Sequence, residues 1–422
     1  MSPSRAGRGS KRGSEPELLA ESVVVPTVQD PGWRRTLQRQ LLQWYEVAGR
    51  RLPWRQSQDP YRIWLSEIML QQTTVAAVIP YFQRFTAAWP NVAALAAAPL
   101  DEVLRLWEGL GYYSRARNLH RAAGLVVSEY GGQFPRDVKL LQQLPGVGRY
   151  TAGAIASFAF DLPAPIVEAN TERLYARLLA LQDDVRSASG QKQLWAFAEA
   201  IVSAERPGDF NQAVMDLGSQ LCTPTNPACP ACPVSGYCGA YRQGLQHELP
   251  RKPPRVAITA ICELALIPTR VHRGQRQFLL RRREAGERWA GMWDAWREET
   301  RPEVLDGLGG EHASRRAKAG SRSLFSAESY DAIPESTVER LQSQSGIRAG
   351  EVQSALQLTY SVTRFRVRLT AAVCGVQNVP RRLPEGWNWT AVDELAELPL
   401  SKTGRQIADW LSQILLQQPE GL

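Results

Sequence analysis

Apolar residues recur at helical spacing through the first half of the chain, and strictly alternating segments are scarce there. This periodicity turns one face of each segment towards a core. A helix over residues 63–78 should stop before Pro80, because proline removes a helical hydrogen bond. The other predicted helices lie around residues 41–45, over 101–107, over 151–160, where small apolar residues indicate burial, and over 171–181. We therefore predict an all-α domain over residues 31–245.

A proline-rich segment separates the helical first half of the chain from a second half in which the apolar residues follow a different period. Residues 246–256 (QHELPRKPPRV) hold three prolines and no apolar pattern, which is typical of a linker. Beyond it, residues 257–267 look extended, and residues 364–369 alternate basic and apolar side chains as a half-buried strand does. Residues 403–416 form a closing helix in this prediction. The second domain, residues 257–422, should be α+β.

Composition agrees with two folded domains and suggests a polyanionic partner. The chain has 422 residues, and its net charge is +8, from 50 Lys and Arg against 42 Asp and Glu. Residues 1–30 are rich in Ser, Gly and Arg, so we expect a flexible basic tail, either without a role or in weak contact with DNA. No apolar run approaches ~18 residues, and no secretory signal is visible. We expect a monomer that is neither secreted nor membrane-bound, cytoplasmic, and nucleoid-associated if bacterial.

Four of the six cysteines fall within residues 222–238. They are Cys222, Cys229, Cys232 and Cys238, with spacers of six, two and five residues. Four thiolates this close can hold tetrahedral zinc or an iron–sulfur cluster, and the spacing alone leaves both open. Without a secretion signal, a disulfide framework is the weaker interpretation.

A glycine turn lies directly before the predicted small-residue helix. Residues 144–151 read LPGVGRYT, with Gly146 and Gly148 one residue apart. Backbone N–H groups at the start of a helix can bind a phosphate, and glycines let the backbone approach it closely. The alternative is an ordinary turn between two helices.

A lone carboxylate, Glu67, stands in the apolar run of residues 59–73 (DPYRIWLSEIMLQQT). Apolar neighbours such as Trp64 and Leu70 would bury it, and burial raises the pKa of a carboxyl group towards neutrality. A protonated acid suited to catalysis would result. The alternative is a glutamate that faces solvent.

These motifs, in this order and together with residues 107–115 (WEGLGYYSR), resemble the MutY-type adenine DNA glycosylases of the helix-hairpin-helix/endonuclease III superfamily. The resemblance covers roughly residues 35–245. It implies a helix-hairpin-helix glycosylase domain with a [4Fe–4S] cluster on the four cysteines, followed by a NUDIX-like domain. It further implies a base-excision-repair enzyme that binds double-stranded DNA and hydrolytically removes adenine mispaired with 8-oxoguanine or guanine, without lyase activity. Such a base must be flipped into a pocket before it reacts.

The resemblance assigns two carboxylates to catalysis. Glu67 would be the general acid, and Glu168 would stabilise the oxocarbenium-like sugar, in the manner of two-carboxylate glycoside hydrolysis. The family usually has V-D-G-N where this chain has Val167-Glu168-Ala169-Asn170. The additional methylene moves the carboxylate by roughly 1.5 Å, whereas catalytic geometry tolerates about 0.5 Å. Asn170 would orient Glu168; the alternative is that the pair only caps a helix.

Three further positions complete the implied adenine pocket. Tyr150 stands where bifunctional relatives carry lysine, and a tyrosine cannot form a Schiff base. Its hydroxyl would instead be a catalytic group that hydrogen-bonds near the sugar. The amide of Gln212 suits the adenine edge, and Leu70 would contribute an apolar wall.

Other residues would contact the DNA itself. Gln72 and Tyr112 would enter the duplex at the position of the flipped base. Arg55 is expected in the pocket or on a phosphate, and Gly146 and Gly148 on the backbone. For Gln72, Tyr112 and Arg55 the alternative is ordinary packing, and for the two glycines it is an ordinary turn between helices.

The second domain resembles, more weakly, the NUDIX-like domain that reads 8-oxoguanine in this family, mainly through residues 289–294 (WAGMWD). The carboxylate-rich helix that holds Mg²⁺ in NUDIX hydrolases is missing, because Pro302 closely follows residues 297–299 (REE). We predict binding without hydrolysis. The lesion-reading F-S-H loop has its best match at Tyr360 and Ser361, with valine in place of histidine.

Two other functions remain open from the sequence. One is a mismatch-binding protein without catalysis, motivated by glutamate in place of the usual aspartate. The other is a related helix-hairpin-helix glycosylase with another mismatch specificity, such as mismatched thymine.

Overall fold

The computed structural model describes residues 30–253, 257–308, 323–325 and 332–417. The predicted basic tail lies outside these residues except for Asp30, which caps the first helix. The helices of the first domain are α1 Pro31–Ala48, α2 Pro60–Leu70, α3 Val75–Ala88, α4 Val92–Ala97, α5 Leu100–Leu106, α6 Ser114–Tyr130, α7 Val138–Leu141, α8 Arg149–Phe160, α9 Ala169–Leu179, α10 Ala188–Ile201, α11 Pro207–Gln220 and α12 Gly239–Gln243. The described part of this domain contains no strand, so the all-α prediction is confirmed.

The predicted helix over residues 63–78 is wrong, because two helices share this segment. Helix α2 ends at Leu70, Gln72 takes a φ of +57°, and the side chain of Thr74 caps the first turn of α3. Pro80 lies inside α3 rather than after a helix end. The chain therefore turns directly beyond the helix that carries Glu67.

Helix α8 is buried over residues 151–157, as its small side chains predict. These side chains let the chain approach closely: a Cβ on Gly153 would lie 2.4 Å from the carbonyl oxygen of Pro165. This contact brings the start of α9 to the side of α8. Tyr150 and Glu168, near the first residues of the two helices, are thereby held close together.

The second domain is built on a mixed sheet. Its strands are β1 Thr259–His272, β2 Gln275–Arg282, β3 Trp293–Asp294, β4 Trp296–Thr300, β5 Ser323–Phe325, β6 Ala349–Val362, β7 Phe365–Val376 and β8 Trp387–Ala391, and its helices are α13 Pro302–Gly307, α14 Glu335–Ser345 and α15 Lys402–Gln417. The strand order is β3-β2-β1-β7-β6-β5, with β4 paired to β1 and β8 to β2. Strands β1 and β7 run parallel, and the other pairs are antiparallel. The α+β prediction is confirmed.

Two local predictions for this domain have different outcomes. The alternation over residues 364–369 is a strand, β7, in which Val367 and Leu369 are buried. By contrast, residues 297–299 lie in strand β4 rather than in a helix cut short by Pro302.

Among the described helices, none combines the length and the apolar composition that a bilayer-spanning helix needs.

The two domains are in direct contact. Trp289 and Met292 of the sheet domain pack against the core of the helical domain. The guanidinium of Arg405 donates two hydrogen bonds, of 2.8 and 3.0 Å, to the carboxylate of Glu108. Glu108 belongs to the loop that carries Tyr112, so the sheet domain contacts this loop.

Candidate active site

A pocket of about 770 Å³ opens in the helical domain between α2, α8, α9 and α11. Its lining includes eight of the residues selected from the sequence: Arg55, Glu67, Leu70, Gln72, Tyr150, Glu168, Asn170 and Gln212. Tyr112, Gly146, Gly148, Tyr360 and Ser361 are not part of the lining. The structure therefore brings the predicted catalytic residues together and leaves the glycine turn and the lesion loop outside the pocket.

Glu67 lies at the buried end of this pocket. It sits in the last turns of α2, where the surrounding apolar side chains leave it 3% exposed. Burial raises its pKa from 4.5 to about 7, although Tyr150 and the charge of Arg55 act to lower the pKa. Near neutral pH the carboxyl group can therefore hold a proton and also release it.

The hydroxyl of Tyr150 donates a hydrogen bond of 2.7 Å to Oε2 of Glu67. Tyr150 is the second residue of α8, directly after the glycine turn, so the turn decides where this hydroxyl points. Burial raises the pKa of Tyr150 well above its ordinary value, with a further contribution from the charge of Glu67. The tyrosine therefore stays protonated and acts as a donor.

Glu168 caps a helix and at the same time lines the pocket. Its Oε1 accepts a bond of 2.9 Å from the N–H of Thr171, and the Thr171 side chain accepts from the N–H of Glu168 at 2.8 Å. This reciprocal capping box begins α9. The same carboxylate lines the pocket, and burial raises its pKa, while the N–H groups of Asn170 and Thr171 lower it. Capping thus fixes the carboxylate at the pocket wall.

A hydrogen-bond chain runs from Glu168 to the cysteine loop. The Asn170 amide donates to Oε2 of Glu168 at 3.3 Å, and Arg173 donates to Oδ1 of Asn170 at 3.0 Å. Nε of the same arginine donates to the carbonyl oxygen of Cys222 at 2.7 Å. Arg173 therefore links the pocket carboxylate to the first cysteine of the loop, a connection that no local sequence pattern indicates.

Asp216 is the main residue of this site that the sequence analysis missed. It is fully buried in α11 and receives bonds from Arg50 at 2.7 Å and from Arg55 at 2.8 and 3.1 Å. Burial alone would raise its pKa, but Arg55 and Arg50 hold the pKa below its ordinary value. A local signal was available, because Asp216 stands between the apolar residues Met215 and Leu217, although Asp209 shares its helix. It positions Arg55 in the pocket wall.

Gln212 lies in the pocket with one end already bonded. Its Oε1 accepts a bond of 3.1 Å from the hydroxyl of Tyr45, a residue of α1 that the sequence analysis did not select. The bond fixes the orientation of the amide, whose nitrogen also approaches the carbonyl oxygen of Gly208 at 3.4 Å.

Gln72 and Tyr112 are exposed and lie on two different loops. Both have a positive φ, +57° and +48°, which is uncommon for residues other than glycine. Gly146 also has a positive φ, of +80°, and its carbonyl accepts a bond from the side chain of Gln71. Gly148 is the N-cap of α8 and has no side-chain cap. The glycine turn therefore lies beside the Gln72 loop.

Tyr360 and Ser361 differ from each other. The Tyr360 hydroxyl donates to Glu263 at 2.9 Å and faces Arg297, so this side chain belongs to a network inside the sheet domain. Ser361 is exposed and pairs with Arg366 near the turn between β6 and β7. Of the two residues, Ser361 is the more exposed.

The four cysteines line one largely apolar pocket on the other side of α9. Arg177, 2% exposed, approaches the sulfur of Cys222 at 3.2 Å, and its carbonyl oxygen lies 3.3 Å from the sulfur of Cys238. In the described part of the chain, no three ligating side chains converge on a point as they would around a single metal ion. Four thiols around a shared, mostly apolar cavity suit a cluster with four thiolate ligands.

Two family models match parts of this chain, one in the helical domain and one at the four cysteines. Residues 65–199 match the HhH-GPD superfamily base excision DNA repair protein, and residues 222–238 match the iron-sulfur binding domain of endonuclease III. The second match covers all four cysteines and decides between the two metal alternatives in favour of an iron–sulfur cluster.

Similar whole proteins share one description. The chain is similar to the adenine DNA glycosylase of Mus musculus, with 46% identity over 241 residues, 54% of this chain and 47% of that protein. It is similar to the adenine DNA glycosylase of Schizosaccharomyces pombe, with 30% identity over 345 residues, 68% of this chain and 75% of that protein. The matched region thus spans about half the length of the mouse relative and three quarters of that of the S. pombe relative.

Among solved structures, the helical domain is similar to a thermostable thymine-DNA glycosylase, with 30% identity and a TM-score of 0.45 over 50% of this chain and 97% of that one. The sheet domain is similar to the NUDIX domain of Shewanella oneidensis NrtR, with 11% identity and a TM-score of 0.24 over 40% of this chain and 97% of that one.

Proposed function

Because this chain belongs to the adenine DNA glycosylase family, we propose that it removes adenine mispaired with 8-oxoguanine or guanine by hydrolysing the N-glycosidic bond. Residues 31–245 would form the catalytic domain and residues 257–422 the domain that reads the opposite base. Double-stranded DNA that contains the mispair would be the substrate. The single observation that carries the proposal is the buried Glu67 carboxyl group, with a pKa of about 7, bonded to Tyr150 inside a pocket.

The first step is protonation of the leaving base. Tyr150 donates to Oε2 of Glu67, which leaves Oε1 free to carry the acidic proton towards a base in the pocket. A protonated adenine is a better leaving group, and general-acid catalysis of this kind contributes roughly 10²–10⁴ in rate. Gln212, held by Tyr45, would present its amide nitrogen to the adenine edge.

The second step is stabilisation of the sugar cation by Glu168. The carboxylate is held at the pocket wall by the N–H of Thr171 and the amide of Asn170, and these bonds favour its charged form. A fixed negative charge beside the developing oxocarbenium ion lowers the barrier. Water would then complete hydrolysis.

We further propose that the reaction stops at the abasic site. A glycosylase with lyase activity uses an amine to form a Schiff base with the sugar. Among the described residues that line the pocket there is no lysine, and Tyr150 stands at the position in question. The iron–sulfur cluster, bound by Cys222, Cys229, Cys232 and Cys238, would order the loop behind Arg173 and supply no chemistry to the base.

The test is single-turnover adenine release from duplexes with adenine opposite 8-oxoguanine, guanine or thymine, with alkali added afterwards to cleave abasic sites. We expect release opposite 8-oxoguanine and guanine, strand cleavage only after alkali, and loss of release in Glu67→Gln. Ser361→Ala should reduce the preference for 8-oxoguanine over guanine and leave release opposite guanine unchanged. Tight binding without release by the wild type would instead indicate a mismatch-binding protein, and release only from other mispairs would indicate another specificity.

A further inference from the structure

Arg115 is a buried cation bonded mainly to backbone oxygens. It is the second residue of α6 and is 7% exposed. Its Nη1 donates to the carbonyl oxygens of Ile68, Met69 and Gln71 at 3.0, 2.8 and 2.5 Å. Within the described residues no carboxylate lies within ion-pair distance of it.

The other half of the guanidinium binds the loop before α6 and, in addition, Thr73 beyond the end of α2. Its Nη2 donates to the carbonyl oxygens of Leu110 and Gly111, both at 3.1 Å, and to Oγ1 of Thr73 at 3.2 Å. One planar side chain thus joins the end of α2 to the loop before α6. Arginine suits this position because its five donors lie in a fixed fork, whereas lysine offers one nitrogen.

The bonded oxygens are the immediate neighbours of the two residues expected to enter DNA. Gln72 follows the bonded carbonyl of Gln71, and Tyr112 follows the bonded carbonyl of Gly111. The guanidinium also lies 5.5 Å from the centre of the Tyr112 ring. Arg115 is therefore bonded to both loops, next to Gln72 in one and next to Tyr112 in the other.

Both loops need such support because each holds a residue in the left-handed region. Gln72 and Tyr112 have φ values of +57° and +48°. Backbones of this kind persist only where surrounding contacts determine them. The carbonyls of Ile68 and Met69 lie in the last turn of α2 and lack helical partners, and a cation there is favourable.

We propose that Arg115 is a positioning residue that fixes the spacing between Gln72 and Tyr112, so that both enter the duplex together and the adenine leaves the stack. The proposal rests on the proposed function. Arg115 does not line the pocket that contains Glu67, so it would act through the two loops. An arginine with a purely structural role would affect stability and leave base unstacking in the folded protein unchanged.

The test compares Arg115→Lys, Thr73→Val and Arg121→Lys with the wild type. Thr73→Val keeps the shape of the side chain and removes one bond of Arg115, together with the bond of 3.3 Å from the Thr73 hydroxyl to the carbonyl oxygen of Gln71. Arg121, exposed on the same helix as Arg115, is the matched control for the arginine-to-lysine change. Unstacking is measured by the fluorescence of 2-aminopurine placed at the adenine position of the mispair. Adenine release is measured under single turnover, and folding by thermal denaturation.

In Arg115→Lys we expect the fluorescence increase to be lost and adenine release to fall about 100-fold, since a displacement of about 1 Å can cost that much. The pH dependence of release should keep its midpoint, because Glu67 is unchanged. Thr73→Val should reduce both signals up to about fivefold, as expected for one hydrogen bond, and Arg121→Lys should match the wild type.

A folded Arg115→Lys protein with wild-type fluorescence would overturn the proposal. If that variant does not fold, Thr73→Val decides, and wild-type fluorescence in Thr73→Val would overturn it equally. A wild type that unstacks the base without releasing adenine would contradict the proposed function alone, and the fluorescence comparison would still test Arg115.

Discussion

Tyr150 and Glu67, 83 positions apart in the chain, meet through a hydrogen bond of 2.7 Å. The bond has two opposing consequences. It holds the carboxyl group in one orientation, and by stabilising the charged form it lowers the pKa that burial raises. Because burial is the larger effect, the pKa stays near 7, close to the optimum for a general acid at neutral pH.

Replacing Tyr150 by phenylalanine should shift the pH dependence of adenine release. Without the donated bond the pKa of Glu67 rises, so the acid stays protonated to higher pH. The alkaline fall in the single-turnover rate should therefore move to higher pH. The maximal rate should decrease about tenfold, because the carboxyl group loses its orientation. Rate measurements from acidic to mildly alkaline pH would check both effects.

Tyr45→Phe is the matched control, since it removes a hydroxyl that bonds to Gln212 rather than to Glu67. Its alkaline limb should coincide with that of the wild type. A Tyr150→Phe limb that stays in place, or moves to lower pH, would show that another group controls this part of the profile.

The stability of Glu67→Gln relative to the wild type should be greater at alkaline pH than at acidic pH. The pKa of Glu67 is 4.5 in the unfolded chain and about 7 in the folded one. The contribution of the neutral Glu67 carboxyl group to the free energy of unfolding is fully present below pH 4.5. It is lost as the pH rises to about 7, where the cost of ionising the buried acid reaches about 3 kcal/mol. Glutamine avoids this cost. Thermal midpoints of both proteins at about pH 4.5 and about pH 8 would show the difference, and an equal gap at both values would contradict it.

The parts of the site that could be predicted are those written in consecutive residues. Four cysteines within 17 positions indicate a metal loop on their own, and the apolar neighbours of Glu67 predict its burial because they share its helix. The glycine turn likewise predicts the start of α8, which begins directly after Gly148. In each of these segments the residue types and their spacing are enough to predict the structural feature.

The parts that could not be predicted depend on contacts between distant segments. Asp216 holds Arg55 across 161 positions, and Arg115 reaches back more than 40 positions to the end of α2. The break between α2 and α3 lies beside the same contacts, and Thr74, which caps α3, is the one local sign of it. Residues 71–74 contain no glycine or proline, so the periodicity continues through a turn that Arg115 stabilises from outside.

Glu168→Asp and Glu168→Gln would separate capping from catalysis. Aspartate is a favoured N-cap, so the capping bond to Thr171 should persist and stability should change by less than about 1 kcal/mol. The shorter side chain withdraws the charge from the pocket by roughly 1.5 Å, and adenine release should fall about 100-fold.

Glutamine at position 168 keeps the length and removes the charge. Release should then fall by about 100-fold or more, the expected loss for one electrostatic group of this kind. Binding to the mispaired duplex should remain, since the pocket keeps its shape. A Glu168→Gln protein with wild-type release would leave Glu168 as a helix cap only.

Arg173→Lys should reduce adenine release while the iron–sulfur cluster stays in place. The arginine bonds to Asn170, to the carbonyl of Cys222 and, at 2.5 Å, to the carbonyl of Gly218, and a single ammonium group cannot reach all three. Asn170 should then lose its fixed position and Glu168 its orientation, which should cost about 10–100-fold in release, as for other residues that orient a functional side chain. The four thiolates are unchanged, so the ratio of iron to protein and the visible absorbance should match the wild type. A loss of release only in proportion to lost iron would show that Arg173 serves the cysteine loop and not the pocket.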